Sequence, residues 1–174
     1  MIRAYLENSV VSSITRRQAP DSELQALDQL QQMQEAGKIV LGTSRQSPRE
    51  IERAPVQHQT ALKEGLHGLD IAADDHRVLG SFTLSDPYGG SICNPIVTDI
   101  VDDSLYADLR GAGLEPDDAK HFMYAAENGY DWFVTWDKDF LSRKEAIEKF
   151  GSIKIGKPSE LVAALSQETM QAKP

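Results

Sequence analysis

The stretch from Trp132 to Phe140 constrains the fold of this chain more than any other part of the sequence. Its first half is apolar, as in a buried strand, and the apolar run stops at the carboxylate Asp137 before a helical pattern resumes. In an open parallel sheet, the carboxyl ends of the strands are where ligands and catalytic groups lie. The stretch therefore predicts an α/β fold with a functional carboxylate at one edge of its sheet.

A second stretch of the same kind lies at the beginning of the chain. Residues 2–6 are typical of a short strand, and they also end on a carboxylate, Glu7. Two strands that deliver acids to the same edge of a sheet predict a cluster of carboxylates. Such a cluster is the usual site of a hard metal ion, because these ions prefer oxygen ligands.

Length and composition indicate one compact domain, which we assign to residues 1–166, with a polar tail at 167–174. The chain has 174 residues, and 40% of them are hydrophobic, which is enough for one core. The single cysteine, Cys93, excludes an internal disulfide framework and fits a reducing compartment. Neither a secretory signal pattern nor an apolar run of about 20 residues is present. We therefore expect a cytoplasmic protein with no membrane partner.

The formal net charge of −9 argues against a general nucleic-acid-binding surface, which is normally basic. It does not exclude a nuclease, because a metal-dependent site is itself acidic and the metal reverses the local field. Basic residues do gather at Arg16 and Arg17, and again at Arg45, Arg49 and Arg53. Whether they share one face or are separate solvated residues depends on the fold.

Apolar periodicity and turn residues divide the chain into alternating strands and helices. Strands are predicted at 2–6, 39–41, 131–136 and 153–155, and helices at 10–14, 20–36, 48–53, 56–65, 98–110, 116–128, 141–149 and from Pro158 onwards. The segment from Gly80 to Pro95 is rich in turn residues, and we interpret it as a surface excursion within the domain. Strands that alternate with helices predict a mostly parallel sheet with right-handed crossovers.

Five acids are candidates for the site: Glu7, Glu50, Asp118, Asp137 and Asp139. Glu7 and Asp137 end predicted strands, and Asp139 follows two residues later. Glu50 and Asp118 lie in predicted helices, Asp118 in a first turn. Oxygen ligands without nearby cysteines or paired histidines favour Mg²⁺ or Mn²⁺ over zinc, and such ions promote the hydrolysis of phosphodiesters. Three of these acids also have a structural explanation. Asp118 and Asp137 would stabilise the helices that begin beside them, and Glu50 would be a surface residue like Glu52.

Four short motifs follow one another along the chain. They are Tyr-Leu-Glu-Asn-Ser-Val-Val-Ser at 5–12, Thr43 and Ser44 followed by Glu50-Ile51-Glu52-Arg53, Asp118-Ala119-Lys120-His121, and Thr135-Trp136-Asp137-Lys138-Asp139-Phe140-Leu141. Together they resemble, in the family's order, the motifs of PIN-domain proteins of the type found as the toxin in bacterial toxin–antitoxin pairs. The third and fourth are the most specific. The middle segment, 66–98, carries no family motif and is longer than is usual in the family.

The resemblance implies a three-layer PIN fold, with a twisted, mostly parallel sheet between helices. It implies an endoribonuclease that depends on Mg²⁺ or Mn²⁺, with RNA as substrate, an antitoxin protein as a partner and a homodimer as the assembly. By position, the catalytic acids would be Glu7, Glu50, Asp118 and Asp137, and the metal ligands would come from Glu7, Asp118, Asp137 and Asp139. Ser9 and Thr135 would give polar support, and Asp118 or Asp137 would orient the attacking water.

The first acid departs from the family pattern, because Glu7 stands where the family has aspartate. Glutamate has a stem one methylene longer, and a misplacement of about an ångström can cost roughly a hundredfold in rate. Asn8 also replaces a small hydroxyl residue of the family. The alternative hypothesis is therefore an attenuated or inactive PIN module that binds RNA or protein without cutting.

Two other α/β classes fit the residues after the first strand less well. A haloacid-dehalogenase-like phosphatase needs two aspartates one residue apart there, and Glu7-Asn8-Ser9 does not supply them. A receiver domain needs a pair of acids at the same place. His121 lies three residues after Asp118, on the same side of a helix, and we interpret it as a packed helix residue.

Overall fold

A parallel sheet of five strands forms the centre of the protein in the computed structural model, which describes residues 1–72, 77–85 and 91–171, with side chains for 1–72 and 99–167. The strands, in chain order, are β1 (Ile2–Leu6), β2 (Ile39–Ser44), β3 (Asp70–Ala72), β4 (Arg77–Ser85), β5 (Ser91–Thr98), β6 (Trp132–Val134) and β7 (Lys154–Gly156). The helices are α1 (Asn8–Arg16), α2 (Asp21–Glu35), α3 (Gln46–Arg53), α4 (Val56–Gly65), α5 (Asp103–Gly111), α6 (Pro116–Glu127), α7 (Lys138–Ser142), α8 (Lys144–Gly151) and α9 (Pro158–Gln171). The predicted α/β fold with a parallel sheet flanked by helices is confirmed.

Helices cover both faces of the parallel sheet, because its central strands are apolar on both sides. In β1, Tyr5 packs into one buried cluster, while Ala4 and Leu6 pack into the other. Residues in a strand alternate between its two faces, and this period of two separates the clusters. Residues of α5, α6, α7 and α8 share the cluster of Tyr5, and residues of α1, α2 and α9 share that of Leu6. The result is a three-layer arrangement.

The order of the strands places a switch in direction between β1 and β6. The order across the sheet is β3-β2-β1-β6-β7, so the chain moves outwards from β1 on one side and later returns on the other. All four neighbouring pairs are parallel. Ligands of open parallel sheets bind beyond the carboxyl ends of the strands, at the point where the direction switches. Glu7 directly follows β1, and Asp137 follows β6 by three residues.

The middle of the chain contains strands that the sequence analysis did not assign. β3 joins the edge of the parallel sheet beside β2, and β4 pairs with β5 in an antiparallel hairpin with a register shift between Val78 and Gly80. The interpretation of Gly80 to Pro95 as a turn-rich excursion rested on residues 86–90, which lie outside the described residues. Apolar residues that alternate on both sides of that run are typical of paired strands.

Several element boundaries also differ from the predicted ones, and side-chain caps explain two of them. The helix predicted at 98–110 begins at Asp103, because Asp102 caps it by accepting a hydrogen bond from the Leu105 backbone at 2.9 Å. The strand predicted at 131–136 ends at Val134, because the Asp137 N–H bonds to the Thr135 side chain at 2.9 Å instead of to a strand. β2 continues to Ser44, α3 begins at Gln46, and β7 is one residue later than predicted.

The carboxyl-terminal part of the chain is more helical than predicted. The helix predicted at 141–149 is two helices, α7 and α8, which meet at Arg143. The last helix extends to Gln171, so residues 167–171 of the expected polar tail are helical. Among the described helices, none combines the length and the hydrophobicity that crossing a lipid bilayer requires.

We expect Gly42→Ala to destabilise the fold, because Gly42 lies in β2 where other groups approach its Cα closely. An added Cβ would stand 2.1 Å from the Tyr130 hydroxyl and 2.8 Å from the Asp70 carbonyl. Overpacking of this kind costs about 1–3 kcal/mol, and the clash with backbone places Gly42→Ala near the upper end. Urea denaturation measures the change. Gly111→Ala is the matched control, since a Cβ there meets nothing within 4 Å; equal losses in the two variants would contradict the argument.

Candidate active site

Glu7 is held at the carboxyl end of β1 because it also caps α1. The side chain is 7% exposed, and its Oε2 accepts hydrogen bonds from the Ser9 backbone at 3.0 Å, from the Ser9 hydroxyl and from Thr135 Oγ1 at 3.2 Å. These donors all reach the same oxygen. Within the described residues, Glu7 Oε1 accepts no hydrogen bond, so half of the carboxylate is left for a ligand.

Asp137 is held in a similar way at the start of α7. Its Oδ1 accepts a hydrogen bond from the Asp139 backbone at 2.7 Å, which caps the helix. Thr135 Oγ1 accepts from the Asp137 backbone at 2.9 Å and donates to Glu7. The buried hydroxyl of Thr135 therefore links the first and last acids of the candidate site.

Asp118 lies in the first turn of α6, and its carboxylate is the least compensated of the acids. It is partly buried, and no described group donates a hydrogen bond to it. Burial, followed by repulsion from Asp137 and Glu7, raises the pKa of Asp118 to about 6. The negative charge of Glu50 acts in the same direction. Acids that follow β1 and β6, together with one from α3, are thus close enough to raise the pKa of this carboxyl of α6.

Glu50 reaches this cluster from α3 and is bound by His121 of α6. Nε2 of His121 lies 2.9 Å from Glu50 Oε1, and the side chain of His121 is 1% exposed. Burial by itself would lower the pKa of His121, but the hydrogen bond and charge of Glu50, with the charges of Glu7 and Asp118, raise it above its ordinary value. His121 is packed, as expected from the sequence, but it also contacts an acid of the site.

Tyr5 extends this contact into the core, and the sequence analysis missed it. Its hydroxyl lies 2.5 Å from His121 Nδ1 and 2.7 Å from Ser44 Oγ. Burial raises the pKa of Tyr5 well above its usual value, so the phenol stays protonated. A tyrosine in an apolar strand is the signal that could have been used, because a buried phenol needs a hydrogen-bond partner.

Asp139 is not brought into the cluster. Its carboxylate is 59% exposed, and Oδ1 forms an ion pair with Arg143 at 3.2 Å, one turn along the same segment. Its backbone N–H, by contrast, fixes Asp137. Asp139 therefore contributes through its main chain, and its side chain faces a different partner.

The four clustered acids have the chemistry of a site for a hard cation. Within the described residues, no group of three His, Cys, Asp or Glu side chains is already spaced to hold a metal ion. However, among the residues whose side chains the structure describes, no group donates to Asp118, and one oxygen each of Glu7 and Asp137 has no donor. A buried carboxylate that other acids repel is the group that a divalent cation stabilises most, and its oxygens suit Mg²⁺ or Mn²⁺.

The chain matches no protein-family model, no curated protein and no solved structure.

Proposed function

We propose that this chain is an endoribonuclease of the PIN type that depends on Mg²⁺ or Mn²⁺. The observation that carries the proposal is Asp118, a partly buried carboxyl to which no described residue donates, and whose pKa rises to about 6 because of burial and neighbouring acids. A divalent cation would relieve both effects, because it attracts all the carboxylates that now repel one another. The motifs that resemble PIN-domain proteins contain these same acids, which supports the assignment.

Glu7, Asp118 and Asp137 are the residues that would hold the cation. When bound, Mg²⁺ or Mn²⁺ would supply activation of water and stabilisation of negative charge on the phosphate. Ser9 and Thr135 keep Glu7 in place by donating to its Oε2. We assign Asp118 to orienting the attacking water, because no described donor fixes its carboxylate. Glu50 adds a fourth negative charge to the same cluster.

A basic face beside the acids supports RNA as the substrate. We use this name for Arg45, directly before α3, and for Arg49 and Arg53 of α3, which follow it at intervals of four residues, together with Lys120 of α6. Lys120 Nζ lies 2.8 Å from Asp99, which Arg49 also approaches at 3.6 Å. Glu50 and His121 bridge the same two helices. Arg53 likewise lies 3.0 Å from Asp117. RNA phosphates would replace Asp99 and Asp117 as the partners of these cations, and the RNA would then lie beside the acids that cut it.

The proposal is tested by incubating the purified chain with a mixture of structured RNAs, including a folded tRNA. The reactions contain Mn²⁺, Mg²⁺ or EDTA, and the products are separated on a denaturing gel. We expect cutting that requires the ion. Asp108→Asn on the exposed side of α5 is a control variant that should cut normally. Cutting that continues in EDTA, or none with either ion, would contradict the proposal.

Removing charge from the basic face should weaken RNA binding and its dependence on salt. We expect Arg49→Gln with Arg53→Gln to lower the slope of log K against log salt by about 0.7 for each lost phosphate contact. Binding is measured by fluorescence anisotropy in EDTA, so that no RNA is cut. Arg16→Gln with Lys38→Gln removes the same charge at residues outside the basic face. Equal slopes in both double variants would show that the basic face does not touch RNA.

One observation favours the alternative, a PIN module that binds without cutting. Three donors already occupy Glu7 Oε2, and the longer stem of glutamate is used to cap α1. A carboxylate with one oxygen already occupied by three donors would bind a cation less well than the aspartate that the family has at this position. The antitoxin partner and the homodimer that the resemblance implies stay predictions.

A further inference from the structure

We infer that Tyr5 and His121 are positioning residues for Glu50, which they hold in the acid cluster through a buried chain of hydrogen bonds that begins at Ser44. The inference rests on the proposed function, and it assigns to two residues of the core a role at the site. Neither residue touches the reacting phosphate. Both act through the carboxylate of Glu50.

The chain of hydrogen bonds is continuous. Ser44 Oγ lies 2.7 Å from the Tyr5 hydroxyl, which lies 2.5 Å from His121 Nδ1, and His121 Nε2 lies 2.9 Å from Glu50 Oε1. Ser44, at the end of β2, also accepts from the Gln46 backbone at 3.2 Å. This series of hydrogen bonds thus begins at the sheet, crosses the core and ends at a carboxylate of α3.

The rings of Tyr5 and His121 cannot turn freely. Tyr5 is fully buried, stacks on Phe133 with centroids 5.3 Å apart, and meets Tyr130 edge to face at 5.5 Å. His121 is bonded at both ring nitrogens. A glutamate on a helix surface otherwise samples several rotamers, and restricting it to one costs conformational entropy. Here the restriction is built into the folded core before any ligand arrives.

The donors and acceptors of these hydrogen bonds balance from end to end. The Tyr5 hydroxyl donates to Ser44 Oγ, so its oxygen is left to accept from Nδ1 of His121. Glu50, when ionised, accepts from the N–H at Nε2 of His121. His121 thus donates to Tyr5 on one side and to Glu50 on the other, as expected of a positioning contact.

Packing alone is the competing explanation, because His121 and Tyr5 fill the core in any case. Packing does not explain why the Tyr5 hydroxyl and both ring nitrogens of His121 form continuous hydrogen bonds that end at Glu50. Removing such outer contacts typically costs about tenfold to a hundredfold in metal affinity or activity. A residue that only packs would change stability and leave those quantities unaltered.

The test compares His121→Gln, His121→Leu and Tyr5→Phe with the wild-type chain. Glutamine can still donate to Glu50, and leucine cannot. We expect His121→Leu to weaken Mn²⁺ binding, followed by electron paramagnetic resonance, and to lower kcat, each about tenfold or more, with KM little changed. His121→Gln should recover most of both losses. Tyr5→Phe should lie between His121→Leu and the wild type.

Tyr124→Phe is the matched control for Tyr5→Phe. It removes the hydroxyl of an equally buried tyrosine that donates to the Asp99 carbonyl at 2.6 Å. We expect a similar loss of stability but unchanged Mn²⁺ affinity. The inference is overturned if His121→Leu and Tyr5→Phe bind Mn²⁺ as tightly as the wild-type chain, or if glutamine restores nothing. Circular dichroism verifies that each variant is folded. If His121→Leu does not fold, the Mn²⁺ affinity of Tyr5→Phe decides whether the inference holds.

Failure of the proposed function gives a different result from failure of this inference. A wild-type chain that binds Mn²⁺ but cuts no RNA would refute the nuclease, while the Mn²⁺ affinities of the variants would still decide the positioning role. A chain that cuts RNA with no effect of these variants would refute only the positioning role. A wild-type chain that binds no Mn²⁺ would refute both.

Discussion

Replacing Asp118 by asparagine is expected to abolish metal-dependent cutting of RNA and, in the absence of metal, to make the folded chain more stable at neutral pH. The loss of cutting should be about a hundredfold to a thousandfold, as for removal of one group that stabilises charge in a transition state. The gain in stability follows from the uncompensated charge of the carboxylate. A single change should therefore move activity and stability in opposite directions.

The stability effect has a defined dependence on pH. The pKa of Asp118 is about 6 in the folded chain, against an ordinary value of 3.8. Between these values the folded state binds more protons than the unfolded state, so the wild-type stability falls as the pH rises. A shift of about two pKa units corresponds to about 3 kcal/mol, which partial exposure reduces to roughly 1–2 kcal/mol. The asparagine side chain cannot ionise, so the Asp118→Asn variant lacks this loss.

Urea denaturation in EDTA at several pH values measures the difference. We expect the two chains to be similar near pH 4 and the variant to be more stable above pH 6. Adding Mn²⁺ should then stabilise the wild-type chain and not the variant, because only a ligand that binds the folded state shifts the equilibrium. An Asp118→Asn chain that is less stable than the wild type at pH 7 in EDTA would contradict the account of Asp118.

Glu7→Asp is expected to increase the rate of cutting by up to about a hundredfold, because it removes the methylene that displaces this carboxylate. Aspartate is also a preferred residue at the start of a helix, so α1 should keep its cap. Single-turnover rates in Mn²⁺ measure the effect. The change in folding free energy should be small by comparison.

Glu50→Asp is the matched control, since it removes the same methylene from another acid of the cluster. There the shorter stem withdraws the carboxylate from His121 Nε2, now 2.9 Å from Oε1, so we expect a slower enzyme. Faster cutting by Glu7→Asp together with slower cutting by Glu50→Asp would show that the extra methylene is unfavourable at position 7 only. A loss of rate in Glu7→Asp as large as that in Glu50→Asp would show that the site has adapted to glutamate.

The sequence predicted where the candidate acids at the ends of strands would lie. Glu7 and Asp137 stand where apolar runs stop, and parallel strands place such positions at one edge. Asp118 followed from its place in a first turn. The parallel sheet followed from the alternation of strands with helices, and the topology then set the two acids on either side of the switch between β1 and β6.

The contacts that fix the acids could not be predicted in the same way. His121 and Glu50 are separated by 71 residues, and Tyr5 and His121 by 116, so their meeting depends on how α3 and α6 pack on the sheet. Periodicity describes one element at a time and carries no information on such pairs. The boundaries at Asp102 and Thr135 were missed because side-chain caps decided them, against the apolar pattern.

The pairing of β1 with β6 also has a consequence for the order of events in synthesis. Thr135 bonds to Glu7 across 128 residues, so Thr135 and Asp137 leave the ribosome long after Glu7. Contacts of such long range form slowly, because a long loop must first be closed. A nascent or truncated chain that stops before β6 carries Glu7, Glu50 and Asp118 but lacks both Thr135 and Asp137. The activity we propose would therefore begin when the sheet closes, and incomplete copies of the protein would be harmless to the RNA of the cell that makes them.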